Sequence, residues 1–231
     1  FAEAAESASD AAHTIFYFTH RDAETLRRDA PEGQRLVHLP PFLARTDLPD
    51  ISCQDGAMLS VGMMRHGDKL ASYQLVADTL ALLPSSLEWS LCIAGDGEAR
   101  AEVERMMAPH RDRVTFLGAL GPDDLATIYA RSGLFFWPGV NEAFGLVYLE
   151  AQGAGLPVVA QDRPGVRDVL YGKHPRPKDG PEAMAHQVVT LLSDAPLRKE
   201  QGRKARALVE ANHLLNAAAA TLSKALKEAC A

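Results

Sequence analysis

An α/β protein built on a doubly wound parallel sheet is the fold class this sequence predicts, and three observations predict it. From Met58 onward, short apolar runs alternate with helical patterns of roughly 10 to 15 residues, the signature of βαβ units with right-handed crossovers. The uncharged, aromatic run Leu134 to Trp137 has the length of a buried strand and is stopped by Pro138-Gly139. After a polar loop, the apolar helical segment Phe144 to Gly153 leads into Pro157-Val158-Val159-Ala160, which reads as the next strand. That order is strand, loop, helix, strand. In such parallel units a ligand binds where the carboxyl end of a strand feeds a helix, and the first free N–H groups of that helix attract anions.

Taken in order, residues 1 to 40 hold a strand from Thr14 to Thr19, a short helix from Asp22 to Arg28 and a second strand from Arg35 to Leu39. Pro40-Pro41-Phe42-Leu43 and the polar, Pro-containing run to Asp55 read as a linker, residues 41 to 56. The first 40 residues are then either the end of another domain or an extra βαβ unit of a single one. Next come a strand Met58 to Met63 and a helix Lys69 to Leu83 with Leu70, Tyr73, Ala77 and Leu80 on one face. Strand Trp89 to Ala94, the turn Gly95-Asp96-Gly97, helix Glu98 to Ala108 and strand Val114 to Leu117 follow. Helix Asp123 to Arg131 opens on Pro122 and acidic residues, which suit its positive end. Beyond the organising stretch, Tyr171 to Gly180 is short and polar, so that a final strand there is either missing or only a loop. Pro181 to Ser193, Leu197 to Val209 and Leu214 to Glu228 are helical, the last with Leu215, Leu222 and Leu226 at heptad-like intervals.

The 231 residues are 47% hydrophobic and 23% charged, the composition of an ordinary globular protein. A formal charge of −6 argues against a nucleic-acid partner, which would require clustered Lys and Arg. No apolar run approaches the roughly 20 residues needed to span a bilayer. Cys53, Cys92 and Cys230 are scattered, lack metal-ligand spacing and are odd in number, as expected of reduced thiols in a cytoplasmic protein. The acidic first residues form no signal peptide. With no initiator Met, the sequence reads as a piece of a longer protein.

Glu142 and Glu150 are too far apart to share a helix turn, so they mark two places. With a helix beginning near Phe144, Glu142 sits in the loop and Glu150 lies roughly 9 Å further along the axis. A diphosphate resting on the N–H groups of Phe144, Gly145 and Leu146 then has one carboxylate on each side, and Gly145 lets the backbone approach it. The expectation is a nucleotide sugar with its ribose on Glu150 and its sugar near Glu142. The plain alternative is two solvated charges. Against it, Glu150 interrupts the apolar run Leu146 to Ala151, and a half-buried carboxylate calls for donors such as sugar hydroxyls.

Glu142-Ala-Phe-Gly-Leu-Val-Tyr-Leu-Glu150 and the run to Ala160 resemble the E-x7-E signature and following strand of retaining glycosyltransferases of family 4, which have the GT-B architecture of two Rossmann-like domains. The resemblance extends from about Met58 to Ala207. It implies that residues 57–210 are the nucleotide-sugar (donor) binding domain, the C-terminal half of a GT-B fold. Residues 1–40 are then the end of an N-terminal acceptor domain, 41–56 the crossing between domains, and 211–231 a C-terminal helix that packs back onto the first domain. Arg163-Pro-Gly-Val-Arg-Asp168-Val169 resembles the family's Gly-containing loop, with Asp where Glu is usual. The implied activity is transfer of a sugar from a nucleotide diphosphate to an acceptor, with retention. The acceptor is a carbohydrate, a lipid or a small molecule, any peripheral membrane contact runs through the missing domain, and the isolated piece is inactive.

A departing diphosphate must be neutralised by a metal or by cations with N–H groups. No Asp-x-Asp pair stands at a strand end, and Asp123-Asp124 opens a helix, so metal-independent chemistry without a cofactor is expected. The cations are Arg65 and Lys69. Family members have Gly-Arg a few residues before a Lys; here Met63 occupies the usual Arg position and Arg65 takes its place. Gly95 is either a tight-turn residue or a donor contact, and by resemblance the backbone of Phe116-Leu117-Gly118 frames the base. In the expected front-face transfer, Arg65, Lys69 and the helix-start amides stabilise the diphosphate while Glu142 orients the sugar. His66 and His110 read as surface residues, and no Ser-His-Asp arrangement is present. Two rival readings are a sugar-nucleotide epimerase domain and a non-catalytic nucleotide-binding scaffold.

Overall fold

A computed structural model describes residues 2–51 and 56–229, so Cys53, Cys230 and linker residues 52–55 lie outside the described residues. Helix α1 (Ala2–Ala11) precedes a small unit of β1 (Thr14–Tyr17), α2 (His20–Asp29) and β2 (Arg35–His38), in which the two strands pair in parallel. Thr19 and Asp22 close a capping box at the start of α2. No strand was expected in α1, but no helix was either; its Ala- and Glu-rich sequence has high helix propensity without a clear apolar stripe.

The larger unit runs β3 (Met58–Val61), α3 (Asp68–Ala81), β4 (Leu91–Ala94), α4 (Arg100–Met107), β5 (Val114–Gly118), α5 (Pro122–Arg131), β6 (Leu134–Phe136), α6 (Leu146–Gly153) and β7 (Val158–Val159). Helices α7 (Gly180–Ser193), α8 (Ala195–Asn212) and α9 (Leu215–Ala229) complete it. All five strands pair in parallel in the order β5-β4-β3-β6-β7, so the doubly wound sheet is present. Among the described residues β1 and β2 form a separate sheet and do not extend this one. The chain winds outward in one direction from β3 and in the other from β6, so the carboxyl ends of β3 and β6 flank the switch point. Leu59, Leu91, Ile93, Leu134, Phe135, Phe136 and Val159 are fully buried, as expected for strands covered on both faces. No described helix is long and apolar enough to cross a membrane.

Three loops at the carboxyl edge are tied together by backbone. The Gly62 N–H donates to Ala94 O (3.0 Å), Met64 N–H to Asp96 O (2.9 Å) and Gly95 N–H to Gly118 O (2.8 Å). The described part of the linker is likewise fixed to the body. Leu43 N–H donates to His213 O, Leu215 N–H to Arg45 O, and Arg206 Nη1 to both Pro49 O (2.7 Å) and Gly153 O (2.5 Å). The Pro-containing polar run reads as a linker in sequence, and its carbonyls are held by Arg206 and His213, 157 and 172 positions further along the chain. An ion pair between Arg35 and Glu228 joins α9 to β2.

Candidate functional site

The loop leaving β6 is shaped by backbone that only certain residues tolerate. Gly139 has φ 75°, and a Cβ there would lie 2.1 Å from the Tyr148 hydroxyl, which donates to Trp137 O at 3.1 Å. Asn141 has φ 49° and is held by donating from Nδ2 to Asp68 Oδ1 at 3.0 Å. Val140 N–H donates to Ser72 Oγ at 3.0 Å. The turn after β6 is therefore clamped onto the first turns of α3, which follows β3.

That clamp brings Glu142 to Lys69. The Lys69 ammonium is hydrogen-bonded to Glu142 Oε1, which also accepts from Trp137 Nε1 at 3.1 Å. The two side chains are only 18% and 14% exposed, and Lys69 Nζ sits 5.7 Å from the Trp137 ring centre. Residues 73 positions apart thus form one charged pair over a fully buried indole. They open, with Met63, Arg65, His66 and Asn141, into a cavity of about 500 Å³. Arg65 is exposed at its edge, and Met63, at the position where the family's Arg was expected, is 53% exposed on the same wall.

The start of α6 differs from expectation. The helix begins at Leu146, two residues later than Phe144, because Gly145 adopts a left-handed conformation (φ 57°) that a Cβ would bring to 2.5 Å from the Tyr148 ring. The Phe144 ring turns away toward Phe18 of the N-terminal unit, with centres 5.5 Å apart. Since Tyr148 N–H already donates to Gly145 O at 3.0 Å, the amides of Leu146 and Val147 are the ones without an intrahelical acceptor. Phe144 thus precedes the first turn of α6 by two residues.

Glu150 opens elsewhere. Its Oε2 accepts from the Tyr129 hydroxyl at 3.0 Å, and it lines a separate cavity of about 590 Å³ with Leu120, Pro122, Leu125 and linker residues Arg45 and Leu48. The two acids line two separate cavities. Burial pushes the Glu150 carboxyl above the ordinary range, and the Tyr129 hydrogen bond only partly offsets this. A carboxyl whose folded pKa exceeds its unfolded value adds stability below the unfolded pKa, and this is lost as pH rises through the folded pKa. Glu150→Gln is therefore expected to raise the thermal midpoint at neutral pH. Scanning calorimetry should show the difference vanishing once pH falls below the ordinary carboxylate range.

Gly95 and Leu117 line neither of these two cavities. Gly95 (φ 144°) packs so tightly that a Cβ would lie 1.9 Å from Gly62 O, and Leu117 is half-buried in β5 against the core. It is Leu120 and Pro122, just beyond β5, that face the Glu150 cavity. Asp123 and Asp124 lie in the first turn of α5. Among the described residues no group of three or more His, Cys, Asp or Glu is gathered to hold a metal. Sequence reading missed Trp137 and Tyr129 as partners of the two acids, and Asn141, whose positive φ has no signal beyond the residue type.

The chain belongs to the glycosyl transferases group 1 family, whose sequence model matches residues 56–194. It is 27% identical over 237 aligned positions to an alpha-D-kanosaminyltransferase of Streptomyces kanamyceticus, covering 94% of this chain and 61% of that protein. A D-inositol 3-phosphate glycosyltransferase of Salinispora tropica is 42% identical over 99 residues, 41% of this chain and 20% of that one. The chain thus spans about three fifths or less of these relatives. In structure it resembles the sucrose-phosphate synthase of Thermosynechococcus elongatus (TM-score 0.77, 20% identity, 98% of this chain and 60% of the other). It also resembles an Anabaena protein solved with UDP and glucose (TM-score 0.78, 16% identity, 97% and 66%). At these identities the structural likeness supports the GT-B-type fold.

Proposed function

We propose that this chain is the donor-binding half of a retaining, metal-independent glycosyltransferase of family 4, taking a nucleotide diphosphate sugar and working with an acceptor domain that completes the cleft. The observation that carries this reading is the Lys69–Glu142 pair at the switch point, beside the open amides of Leu146 and Val147. A diphosphate spanning that turn meets the Lys69 ammonium and the first-turn dipole of α6, with Arg65 at the rim. Its sugar then adjoins Glu142, whose carboxylate orients hydroxyls. Its nucleoside runs toward Glu150, with Leu120 and Pro122 offering an apolar wall. As the anomeric bond loosens, Lys69 and the two amides stabilise charge on the departing phosphate oxygen, and that oxygen receives the acceptor's proton on the same face.

Calorimetric titration with UDP, GDP and ADP tests the reading. One of the three is expected to bind, and Glu150→Ala to weaken it roughly tenfold, the loss of about one charge-assisted hydrogen bond. Inorganic pyrophosphate, which has no ribose, should lose nothing in that variant. Absence of binding by all three nucleotides overturns the donor assignment.

A further inference from the structure

Along the carboxyl edge of the sheet, the loop after β3 carries Arg65 and Lys69, and the loop after β6 carries Glu142. Next comes the loop after β7, residues 161–168. The last two loops are in close contact: a Cβ on Gly165 would lie 2.0 Å from Ala143 O. The N-terminal unit covers the same end, with His20 N–H donating to Asp168 Oδ2 at 2.8 Å and Phe18 against Phe144.

Within this loop stands Arg163. Its Nε and Nη2 both donate to Gln161 Oε1, at 3.0 and 2.5 Å. Gln161 itself is 1% exposed and anchored by its N–H to Pro138 O at 3.2 Å. A long, flexible cation is thus locked by a buried amide, with Nη1 and the second Nη2 hydrogen left over. Its neighbour Arg167 pairs with Asp162 at 2.9 Å, whereas no carboxylate lies within ion-pair distance of Arg163 among the described residues. Partial burial lowers its pKa; the Tyr148 phenol and Asp68 act against that shift, so both lie within electrostatic reach. Ala143, against which Gly165 of this same loop packs, lines the Lys69–Glu142 cavity, so the loop that carries Arg163 borders that site.

We propose that Arg163 is a specificity-determining residue that recognises an acid group, carboxylate or phosphate, on the sugar or acceptor occupying the β7 side of the cleft. The assignment rests on the donor reading above, because a diphosphate on Lys69 and α6 directs whatever lies past Glu142 toward β7. A locked guanidinium presents two parallel N–H groups to such an anion, a geometry that an ammonium cannot supply. The donor and the acceptor are two sources of the same chemistry, and the experiment separates them.

Affinities of the chain for UDP, UDP-glucose and UDP-glucuronate are measured by calorimetry, followed by inorganic phosphate titrated into the UDP-glucose-saturated chain. The set is repeated with Arg163→Gln and Arg163→Lys, each checked for an unchanged thermal midpoint. An acid on the donor sugar predicts that UDP-glucuronate binds roughly tenfold more tightly than UDP-glucose, an advantage lost in Arg163→Gln and partly kept in Arg163→Lys. An acid on the acceptor predicts equal donors, with phosphate bound to the ternary complex of the wild-type chain and not of Arg163→Gln. A merely structural role would lower all affinities together and leave the ratio unmoved, which overturns the proposal, as does a full set of unchanged values. If no uridine nucleotide binds, phosphate titrated into the free chain decides. Binding that Arg163→Gln abolishes upholds the residue's role, with GDP and ADP then deciding the donor reading, and binding that is absent or unaltered overturns it.

Discussion

Gly95→Ala is expected to destabilise the fold by at least about 3 kcal/mol, enough to leave a large unfolded fraction in mild denaturant. Two separate costs meet at this position. The backbone at φ 144° is closed to ordinary L side chains, and the added methyl would sit 1.9 Å from Gly62 O and 2.9 Å from its carbonyl carbon. Neither obstacle is the end of a flexible side chain. Relief requires moving the loop after β3 away from the loop after β4, which breaks the bonds from Gly62 N–H to Ala94 O and from Met64 N–H to Asp96 O. Gly33 provides the control: its φ is 83°, but nothing lies within 4 Å of the position a Cβ would take. Gly33→Ala should therefore cost only backbone strain, about 1–2 kcal/mol. Urea unfolding of both variants checks the comparison, and equal losses would show that the collision with Gly62 is not what makes Gly95 necessary.

The contrast between those glycines shows what the sequence made legible. Gly-Asp-Gly after an apolar strand announced a turn, because turn chemistry is local. That the turn is buttressed by Gly62, 33 positions earlier, depends on sheet order, which no local pattern specifies. The same division runs through the site. Alternating apolar runs placed β3 to β7 and their helices to within a few residues, since periodicity reports which face is buried. The spacing of Glu142 and Glu150 separated their roles, but the partners that hold them, Lys69 with Trp137 and Tyr129, come from other elements. The two-residue error at the start of α6 has a physical origin. Phe144 continues the apolar pattern, yet its ring packs against Phe18 in another unit while Gly145 turns the chain. Burial alone read as helix there, and tertiary contact overrode it. In the linker, local composition marked a connection between units, but not that Arg206 and His213 bind its carbonyls.

Lys69 and Glu142 should shift nucleotide affinity in opposite directions. The ammonium is engaged by Glu142, with both side chains under a fifth exposed, so on the proposed reading a diphosphate at the first turn of α6 competes with that carboxylate for one cation. Lys69→Met removes the cation and leaves Glu142 with only the Trp137 N–H. UDP affinity is expected to fall roughly 10- to 100-fold, the range set by one charge-assisted contact of about 1.5–3 kcal/mol. Glu142→Gln leaves the amide oxygen for Trp137 Nε1 but frees the ammonium and removes a negative charge next to the phosphates. UDP should then bind severalfold more tightly than to the parent chain, an effect that weakens as added salt screens the site. On the proposed reading the nucleotide sugar should not share the gain, because the carboxylate proposed to orient its hydroxyls is lost, so the ratio of UDP-glucose to UDP affinity drops. In the double variant the benefit of Glu142→Gln should disappear, since no ammonium remains to be released. Calorimetry on the four proteins decides between competition and support. If Glu142→Gln weakens UDP as much as Lys69→Met does, the carboxylate positions Lys69 for the phosphates, and the pair acts as one pre-formed binding unit.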